Sequence, residues 1–214
     1  MRLKHKPWAQ DALDDNPDIV IKNPESVKGE IQDRFNKAQP LHVEIGTGKG
    51  QFITGLAEQQ ADANFVGIEL QTSVIVDVLT KILDNDIKNV QLINMNANDL
   101  EGVFEENSID HIYLNFSDPW PKNRHEKRRL TYKTYLTMYE KLLKKDGKLT
   151  FKTDNRFLFE YSLMSFSAYG ANLDDVSLNL HSDSDNYPYN IQTEYEERFS
   201  KNGNPIYLAQ ISFN

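Results

Sequence analysis

Residues 41–50 read Leu-His-Val-Glu-Ile-Gly-Thr-Gly-Lys-Gly, an apolar strand pattern that runs directly into a glycine-rich turn. Apolar residues then recur at helical spacing, at Phe52, Ile53, Leu56 and Ala57. A strand, a glycine turn and a helix in this order are typical of a parallel α/β unit. Because ligands bind such sheets at the carboxyl ends of the strands, this turn is a candidate binding loop.

The same alternation continues along the chain. Further strands are predicted at 64–69, 90–95, 109–114, 148–153, 176–180 and 205–213. Helices are predicted at 24–36, 49–60, 72–84, 130–145 and 155–169. This order predicts the α/β class, with a mostly parallel sheet and helices on both faces. The last two strands have no helix between them, so we expect them to pair antiparallel at one edge.

Length and composition indicate one domain of ordinary size with an N-terminal extension. Residues 1–22 lack clear periodicity, so we predict a basic N-terminal arm, extended or ordered only against a partner, before a single domain at 23–214. The chain has no cysteine, and its five histidines lack metal-ligand spacing, so no metal site is predicted. Neither a signal peptide nor a membrane-spanning run is found, which favours a cytoplasmic protein.

The charges are unevenly distributed. The net charge is −8, yet residues 122–133 hold six basic side chains and one acidic one. Because fields are screened over roughly 10 Å in physiological salt, an acidic protein can still present a local site for a polyanion. We expect one basic rim there, formed by Lys122, Arg124, Lys127, Arg128 and Arg129. Lys4 and Lys6 of the arm are candidates to join it. The alternative is a solvated helix entry.

A second distinctive loop follows the predicted strand 109–114. It reads Asn-Phe-Ser-Asp-Pro-Trp-Pro-Lys over residues 115–122. Asp118 and Trp120 each precede a proline, which restricts their backbones. Stiffness of this kind suits a site that is organised before its ligand arrives. The alternative is a rigid loop with Trp120 in the core.

The glycine turn leaves two cofactor classes open. A dinucleotide site favours Gly-x-Gly-x-x-Gly, whereas this chain has Gly-x-Gly-x-Gly, with Gln51 at the position of the expected third glycine. Glu44 is also poorly placed for a pyrophosphate. S-adenosylmethionine, which carries a ribose, an ammonium and a sulfonium but no phosphate, fits the acidic turn better. Glu69, at the end of the next strand, is placed to accept the ribose hydroxyls.

Taken together, Val43–Gly50, Glu69, Asn96 and residues 115–121 resemble the class I S-adenosylmethionine-dependent methyltransferases, which have a Rossmann-like sandwich fold. Four further motifs resemble the bacterial tRNA (guanine-N7-)-methyltransferases: Ser117–Lys122, Arg124–Leu130, Lys152–Asn155 and Thr193–Glu196 with Phe199. The resemblance covers essentially the whole chain. Asn96 departs from it mildly, because many members carry Asp there.

The resemblance implies a methyl transfer to N7 of a guanine in the variable loop of tRNA, with tRNA as partner. No membrane is expected as a partner, and the sequence leaves open whether the protein is a monomer or a homodimer. It implies that Asp118 contacts the cofactor or lies at the catalytic centre. The expected cofactor-binding residues are Glu44, Gly46, Gly48, Glu69, Asn96 and Asp118. Besides the basic rim, which includes Lys122, the expected substrate-binding residues are Asp154, Thr193, Glu194, Tyr195 and Glu196.

The chemistry of N7 agrees with these residue types. N7 of neutral guanine is already nucleophilic and carries no proton, so methylation needs positioning and nearby negative charge more than a general base. Trp120 is a candidate for stacking on the base. A carboxylate such as Asp154, Glu194 or Glu196 can accept from the N–H donors of guanine. The alternatives are helix caps at Asp154 and Thr193–Glu196, a catalytically silent RNA-binding module, and a small-molecule methyltransferase.

Overall fold

The computed structural model describes residues 5–214, and seven strands of that range form one sheet in the order β3-β2-β1-β4-β5-β7-β6. The strands are β1 Leu41–Ile45, β2 Asn64–Glu69, β3 Val90–Asn94, β4 Ile109–Asn115, β5 Leu143–Thr153, β6 Asn172–Ser177 and β7 Tyr207–Ser212. The helices are α1 Ala9–Asp14, α2 Gln51–Gln59, α3 Thr72–Asp84, α4 Lys133–Leu142, α5 Arg156–Tyr169 and α6 Glu194–Ser200. None of these helices combines the length and apolar character needed to cross a bilayer.

The first five strands are parallel, as predicted. β1 pairs with β2 on one side and with β4 on the other, so the order of the strands reverses direction between β1 and β4. A reversal of this kind opens a crevice at the carboxyl ends of the two strands. The loops after β1 and β4, which carry the two motifs described above, flank that crevice.

The antiparallel edge is also confirmed. β7 lies between β5 and β6 and runs antiparallel to both. β6 begins earlier than predicted, at Asn172, and ends at Ser177, since Asn172 pairs with Ser212 at the far end of β7. Cross-strand pairing therefore sets the bounds of this edge strand.

Helices cover both faces of the sheet. On one face, apolar residues of α1, α2 and α3 pack with β2 and β3 in one core cluster. On the other face, α4 and α5 pack with the central strands in a larger cluster. Apolar strands with buried positions throughout, such as β1 and β2, agree with this two-sided coverage.

The prediction of an extended arm is wrong for the part that the structure describes. Ala9 and Leu13 of α1 are buried in the cluster that contains α3. Lys6 pairs with Asp77 of α3, and Val20 forms a parallel bridge with Leu92 at the edge of β3. Apolar residues at 9, 13 and 20 were too few to show periodicity in the sequence. Arg2 and Lys4 lie outside the described residues.

Two predicted helices differ from the structure. Residues 24–36 form two short 3-10 turns, Pro24–Val27 and Ile31–Arg34, because Gly29 between them adopts a φ of +82°. The predicted helix 130–145 ends at Leu142, where backbone N–H groups of Asn107 and Ser108 donate to the carbonyls of residues 141 and 142. Pairing of Leu143 with Ile109 then begins β5 ahead of the Asp-Gly pair at 146–147.

The packing of α1 predicts a loss of stability when its buried leucine is shortened. Leu13→Ala removes a side chain that is 2% exposed, and the free energy of unfolding should fall by about 2–5 kcal/mol. Gln10→Ala, at an exposed position of the same helix, is the matched control. Urea unfolding of both variants measures the difference, and equal stabilities would mean that the segment is not docked.

Candidate active site

The register of the parallel strands brings the two loops to one edge of the sheet. Ile45 at the end of β1 lies opposite Ile68 of β2 and Leu114 of β4. Backbone N–H groups of Gly46 and Thr47 donate to the carbonyl of Ile68, at 2.7 and 3.2 Å. The turn after β1 is therefore held against the end of β2.

Each glycine of the turn after β1 has a positive φ. The values are +81° for Gly46, +54° for Gly48 and +87° for Gly50, a region that side chains rarely adopt. Within the described chain, a Cβ on Gly46 or Gly48 would meet no atom within 4 Å, so open space lies beside this backbone. At Gly50 a Cβ would lie 2.6 Å from Val78, because the turn packs closely on α3. The first two glycines thus leave room for a ligand, and the third permits packing.

Glu44 is a buried acid at the end of β1, with 2% of its surface exposed. Asn115 donates its amide N–H to Oε1 of Glu44 over 2.8 Å. Within residues 5–214, Oε2 of Glu44, Oγ1 of Thr47 and Oδ1 of Asn115 are buried without a hydrogen-bond partner. Burial raises the pKa of Glu44 to about 8, although Asn115 and the charge of Lys152 oppose this shift. Buried polar atoms without a protein partner are rare, and three of them around one turn make this turn a candidate ligand site.

Glu69 closes the same space from the end of β2. Its carboxylate accepts from the backbone N–H groups of Gly48, at 3.2 Å, and Gln71, at 2.9 Å. Burial raises the pKa of Glu69, the backbone hydrogen bonds lower it, and the negative charge of Asp118 adds a smaller rise. β1 lies between β2 and β4 in the sheet, so the loop after β4, which carries Asp118, lies at the same end of the strands as Glu69.

Asn96 lies after β3 and is exposed. Its Oδ1 accepts from the N–H of Asn98 over 3.0 Å and caps the 3-10 turn Ala97–Gly102. Asn94, which was not predicted as a site residue, donates its amide N–H groups to the carbonyls of Glu69 and Leu70, at 2.7 and 3.0 Å. Asn94 therefore fixes the end of β2, and hence the position of Glu69. The signal available in the sequence was a strand that ends in an asparagine and follows a strand that ends in a glutamate.

The loop after β4 has an unusual backbone. Phe116 and Trp120 adopt φ values of +52° and +41°, which cost of order 1–3 kcal/mol each in residues other than glycine. Asp118 between them is exposed and accepts no hydrogen bond from residues 5–214. Trp120 is half-buried, with the guanidinium of Arg128 4.8 Å from its ring centroid. The loop thus presents a free carboxylate and a ring whose surface is partly accessible.

The basic segment divides into an exposed and a buried part. Lys122, Arg124, Lys127 and Arg128 are exposed on and beside the 3-10 turn Asn123–Arg128. Arg129 is only 2% exposed, and its guanidinium donates to backbone carbonyls of the loop after β4. Its assignment to the exposed rim was therefore wrong, since charge counting does not distinguish the two environments.

The motif at 193–196 begins α6 and contacts the glycine turn. Oγ1 of Thr193 accepts from the N–H of Glu196 over 2.9 Å, so the predicted N-cap is present. Helix α6 was not among the predicted helices, although the capping pattern at 193–196 is typical of a helix start. Glu194 accepts from the N–H of Gln51, at 3.3 Å, and pairs with Lys81. This contact caps the start of α2 from a segment about 140 residues away in sequence.

Tyr195 and Asp154 lie together at the rim. The hydroxyl of Tyr195 donates to Oδ2 of Asp154 over 3.3 Å, and its ring stacks on Phe199 with centroids 4.1 Å apart. The alternative that Asp154 caps α5 was wrong, because Asn155 accepts from the N–H of Leu158 instead. Asp154 is therefore available to a ligand, beside an aromatic ring that is 43% exposed.

Glu196 lies in the protein interior, whereas the expected role in reading a base needs an accessible carboxylate. It is fully buried, and Oε2 accepts from the ammonium of Lys152 over 2.7 Å. Its other oxygen accepts from Asn190 at 2.8 Å and lies 3.2 Å from Nε2 of His181. Burial lowers the pKa of Lys152, and the charges of Glu196 and Glu44 oppose this. The glutamate is therefore bound inside the protein, which spacing alone does not reveal.

The polar groups of this site fit the cofactor expected from the sequence. Glu69 offers carboxylate oxygens to a diol, and Glu44 offers an unpartnered oxygen to a cation. The open space beside Gly46 and Gly48 lies between them. Acidic groups and backbone at this edge suit a cationic nucleoside better than a pyrophosphate.

The raised pKa of Glu44 predicts a pH effect on the stability of the ligand-free protein. The folded carboxyl has a pKa of about 8 against 4.5 when unfolded, so the folded state binds more protons between these values. The free energy of unfolding should therefore fall as pH rises through this window. The side chain introduced by Glu44→Gln cannot ionise. The free energy of unfolding of this variant, relative to that of wild type, should therefore rise between about pH 6 and about pH 9.

Thermal unfolding at the two pH values measures this gain. Glu58→Gln, an exposed glutamate on α2, is the matched control and should follow the wild-type profile. A Glu44→Gln profile parallel to that of wild type would show that Glu44 is ionised in the folded state.

The buried ion pair predicts a large effect at Glu196. Glu196→Gln leaves the ammonium of Lys152 buried without its counter-charge and should lower the free energy of unfolding by about 3–5 kcal/mol. Glu197→Gln is the control, because the adjacent Glu197 pairs with Lys201 at the surface and should give no measurable change. Denaturant unfolding compares the two, and a small loss at Glu196 would contradict the ion pair.

Comparisons with known proteins agree with this geometry. Residues 38–209 match a family described as putative methyltransferase. The chain resembles solved structures of an antibiotic-related methyltransferase (TM-score 0.62, 22% identity, 86% of this chain and 91% of that one) and of the 16S rRNA methyltransferase KamB (TM-score 0.62, 10% identity, 85% and 90%). At these identities the likeness concerns the fold, and it confirms the class I methyltransferase sandwich.

Relatives of higher identity match over their full length. The tRNA (guanine-N(7)-)-methyltransferase of Bacillus subtilis (strain 168) is 54% identical over 213 residues, covering 100% of this chain and 99% of that protein. The enzyme of the same name from Listeria monocytogenes serotype 4a (strain HCC23) is 53% identical over 214 residues, with the same coverage. A third, from Geobacillus sp. (strain WCH70), is 51% identical and covered to 96%. The chain therefore belongs to the tRNA (guanine-N(7)-)-methyltransferase family.

Proposed function

We propose that this protein transfers a methyl group from S-adenosylmethionine to N7 of a guanine in tRNA. The observation that carries the proposal is that the buried Glu44, the open glycine turn, Glu69 and the exposed Asp118 all lie at the carboxyl ends of the adjoining strands β2, β1 and β4. The exposed basic rim lies beside the same loop. Cofactor, reacting base and polyanion thus have adjoining sites.

The acidic groups account for cofactor binding. When bound, S-adenosylmethionine supplies a methyl group on a positively charged sulfur. In this proposal Glu69 accepts hydrogen bonds from the ribose hydroxyls, and Asn96, which follows β3, binds the adenine edge. Glu44 is held neutral by burial near pH 7, and a cation beside it favours its ionised form. Cofactor binding should therefore release a proton from Glu44 near neutral pH.

Substrate binding divides between charge and shape. Lys122, Arg124, Lys127 and Arg128 neutralise phosphates, which contributes affinity without sequence preference. Tyr195, backed by Phe199, offers a ring for stacking, and Asp154 beside it accepts from the N–H donors of guanine. A bidentate contact of this kind discriminates between bases by about 1–3 kcal/mol.

Asp118 supplies negative charge where the guanine ring becomes positive. The carboxylate is exposed and accepts no hydrogen bond within the described chain, so it is free to approach a base. N7 has no proton to lose, and a general base is not required. The role of Asp118 is electrostatic, and such groups act mainly on the transition state.

The test is turnover with labelled S-adenosylmethionine and bulk tRNA, followed by identification of the modified nucleoside. The expected product is 7-methylguanosine in tRNA. Cofactor binding without transfer would favour a silent RNA-binding module, and transfer that is indifferent to salt and to tRNA would favour a small-molecule enzyme.

Asp118→Asn separates chemistry from binding. The shape is retained while the charge is lost, so we expect kcat to fall on the order of 10²-fold, with kcat/KM falling equally. Asp62→Asn is the control, because Asp62 is an exposed carboxylate just before β2, at the amino ends of the strands and away from the site. Single-turnover rates at saturating cofactor and tRNA measure the effect. An unchanged rate would leave Asp118 with a role in binding alone.

A further inference from the structure

Arg129 differs in its surroundings from the other cations of the basic segment. Its side chain is 2% exposed, while those of its neighbours Lys127 and Arg128 are exposed to solvent. In residues 5–214 it forms no ion pair with a carboxylate. A buried guanidinium without a counter-charge is costly unless other groups satisfy its donors.

Backbone carbonyls of the loop after β4 accept hydrogen bonds from two of the three guanidinium nitrogens. Nε of Arg129 donates to the carbonyl of Pro119 over 3.2 Å and to that of Trp120 over 3.3 Å. Nη2 donates to the same carbonyl of Trp120 over 3.0 Å. Two rings of α5 flank the cation, with its central carbon 4.1 Å from the centroid of Tyr161 and 5.0 Å from that of Phe157. The guanidinium is therefore fixed between α5 and the loop.

The loop needs an external anchor because its backbone groups do not bond to each other. Pro119 and Pro121 have no N–H, and within residues 5–214 no backbone–backbone hydrogen bond involves residues 117–121. Phe116 holds one end by donating its N–H to the carbonyl of Lys152 over 2.9 Å. At the other end the backbone of Trp120 has the strained φ of +41°, and its carbonyl binds Arg129. Strained residues persist only where surrounding contacts hold them.

We propose that Arg129 is a positioning residue, which holds the Ser117–Pro121 loop so that Asp118 meets the reacting guanine, and that it does not bind tRNA phosphate. The proposal rests on the proposed function for its kinetic consequence. Its structural consequence, a loop held by a fork of N–H donors, is independent of that function. A lysine has the charge of arginine but lacks the fork, so it cannot reproduce the contacts.

Arg129→Lys decides between positioning and phosphate binding. If Arg129 positions the loop, kcat at saturating tRNA should fall on the order of 10²-fold while KM for S-adenosylmethionine stays near wild type, because small misplacements reduce the rate of transfer. A phosphate contact would be retained by lysine, so a near-wild-type kcat overturns the proposal. Thermal unfolding of the variant verifies that it is folded at the assay temperature.

The salt dependence of tRNA binding gives a second, matched comparison. Arg128→Gln removes an exposed cation and should reduce the slope of log affinity against log salt by about 0.7–0.9. Arg129→Gln should leave this slope at the wild-type value. An equal reduction in both variants would mean that Arg129 contacts phosphate, and would overturn the proposal.

Fluorescence of Trp120 tests the loop without any substrate. The chain has two tryptophans, so Trp8→Phe leaves Trp120 as the single reporter. In that background Arg129→Lys should increase quenching of Trp120 by acrylamide, since the loop loses its anchor. Unchanged quenching would overturn the positioning role. If the wild type failed to methylate tRNA, the proposed function would fail while this measurement still decided the role of Arg129.

Discussion

The buried ion pair between Lys152 and Glu196 is the interaction on which the geometry of the site depends. Lys152 lies near the end of β5, with its ammonium 2.7 Å from Glu196 of α6 and 4.9 Å from the ring centroid of Phe52 in α2. Its charge also acts on Glu44 at the end of β1. One cation thus connects the central strands, the helix after the glycine turn and the C-terminal segment.

This connection explains why the C-terminal segment reaches the cofactor loop. The ammonium of Lys152 also donates to the carbonyl of Ile191 over 2.9 Å, and Glu194 caps the start of α2. Residues 190–196 are therefore fixed against the glycine turn, with Tyr195 and Asp154 at the rim. Breaking this pair would leave an uncompensated charge inside the protein, which is strongly unfavourable.

The site itself lowers the stability of the ligand-free protein. Buried unpartnered atoms of Glu44, Thr47 and Asn115, and the strained φ values of Phe116 and Trp120, are each unfavourable without a ligand. Local features that reduce stability are expected at functional sites, where binding offsets them. Here they flank both sides of the crevice between β1 and β4.

The sequence by itself determined the fold class, the two loops at strand ends and the family. Apolar periodicity, glycine spacing and proline positions are local properties, and parallel pairing carries them to one edge of the sheet. It did not reveal that α1 docks on α3 or that the helix before β5 ends at Leu142, because nonlocal packing and pairing decide both. Nor did it separate Arg129 and Glu196 from their exposed neighbours. Only the tertiary structure decides which charges are buried, since burial depends on which distant segments cover a residue.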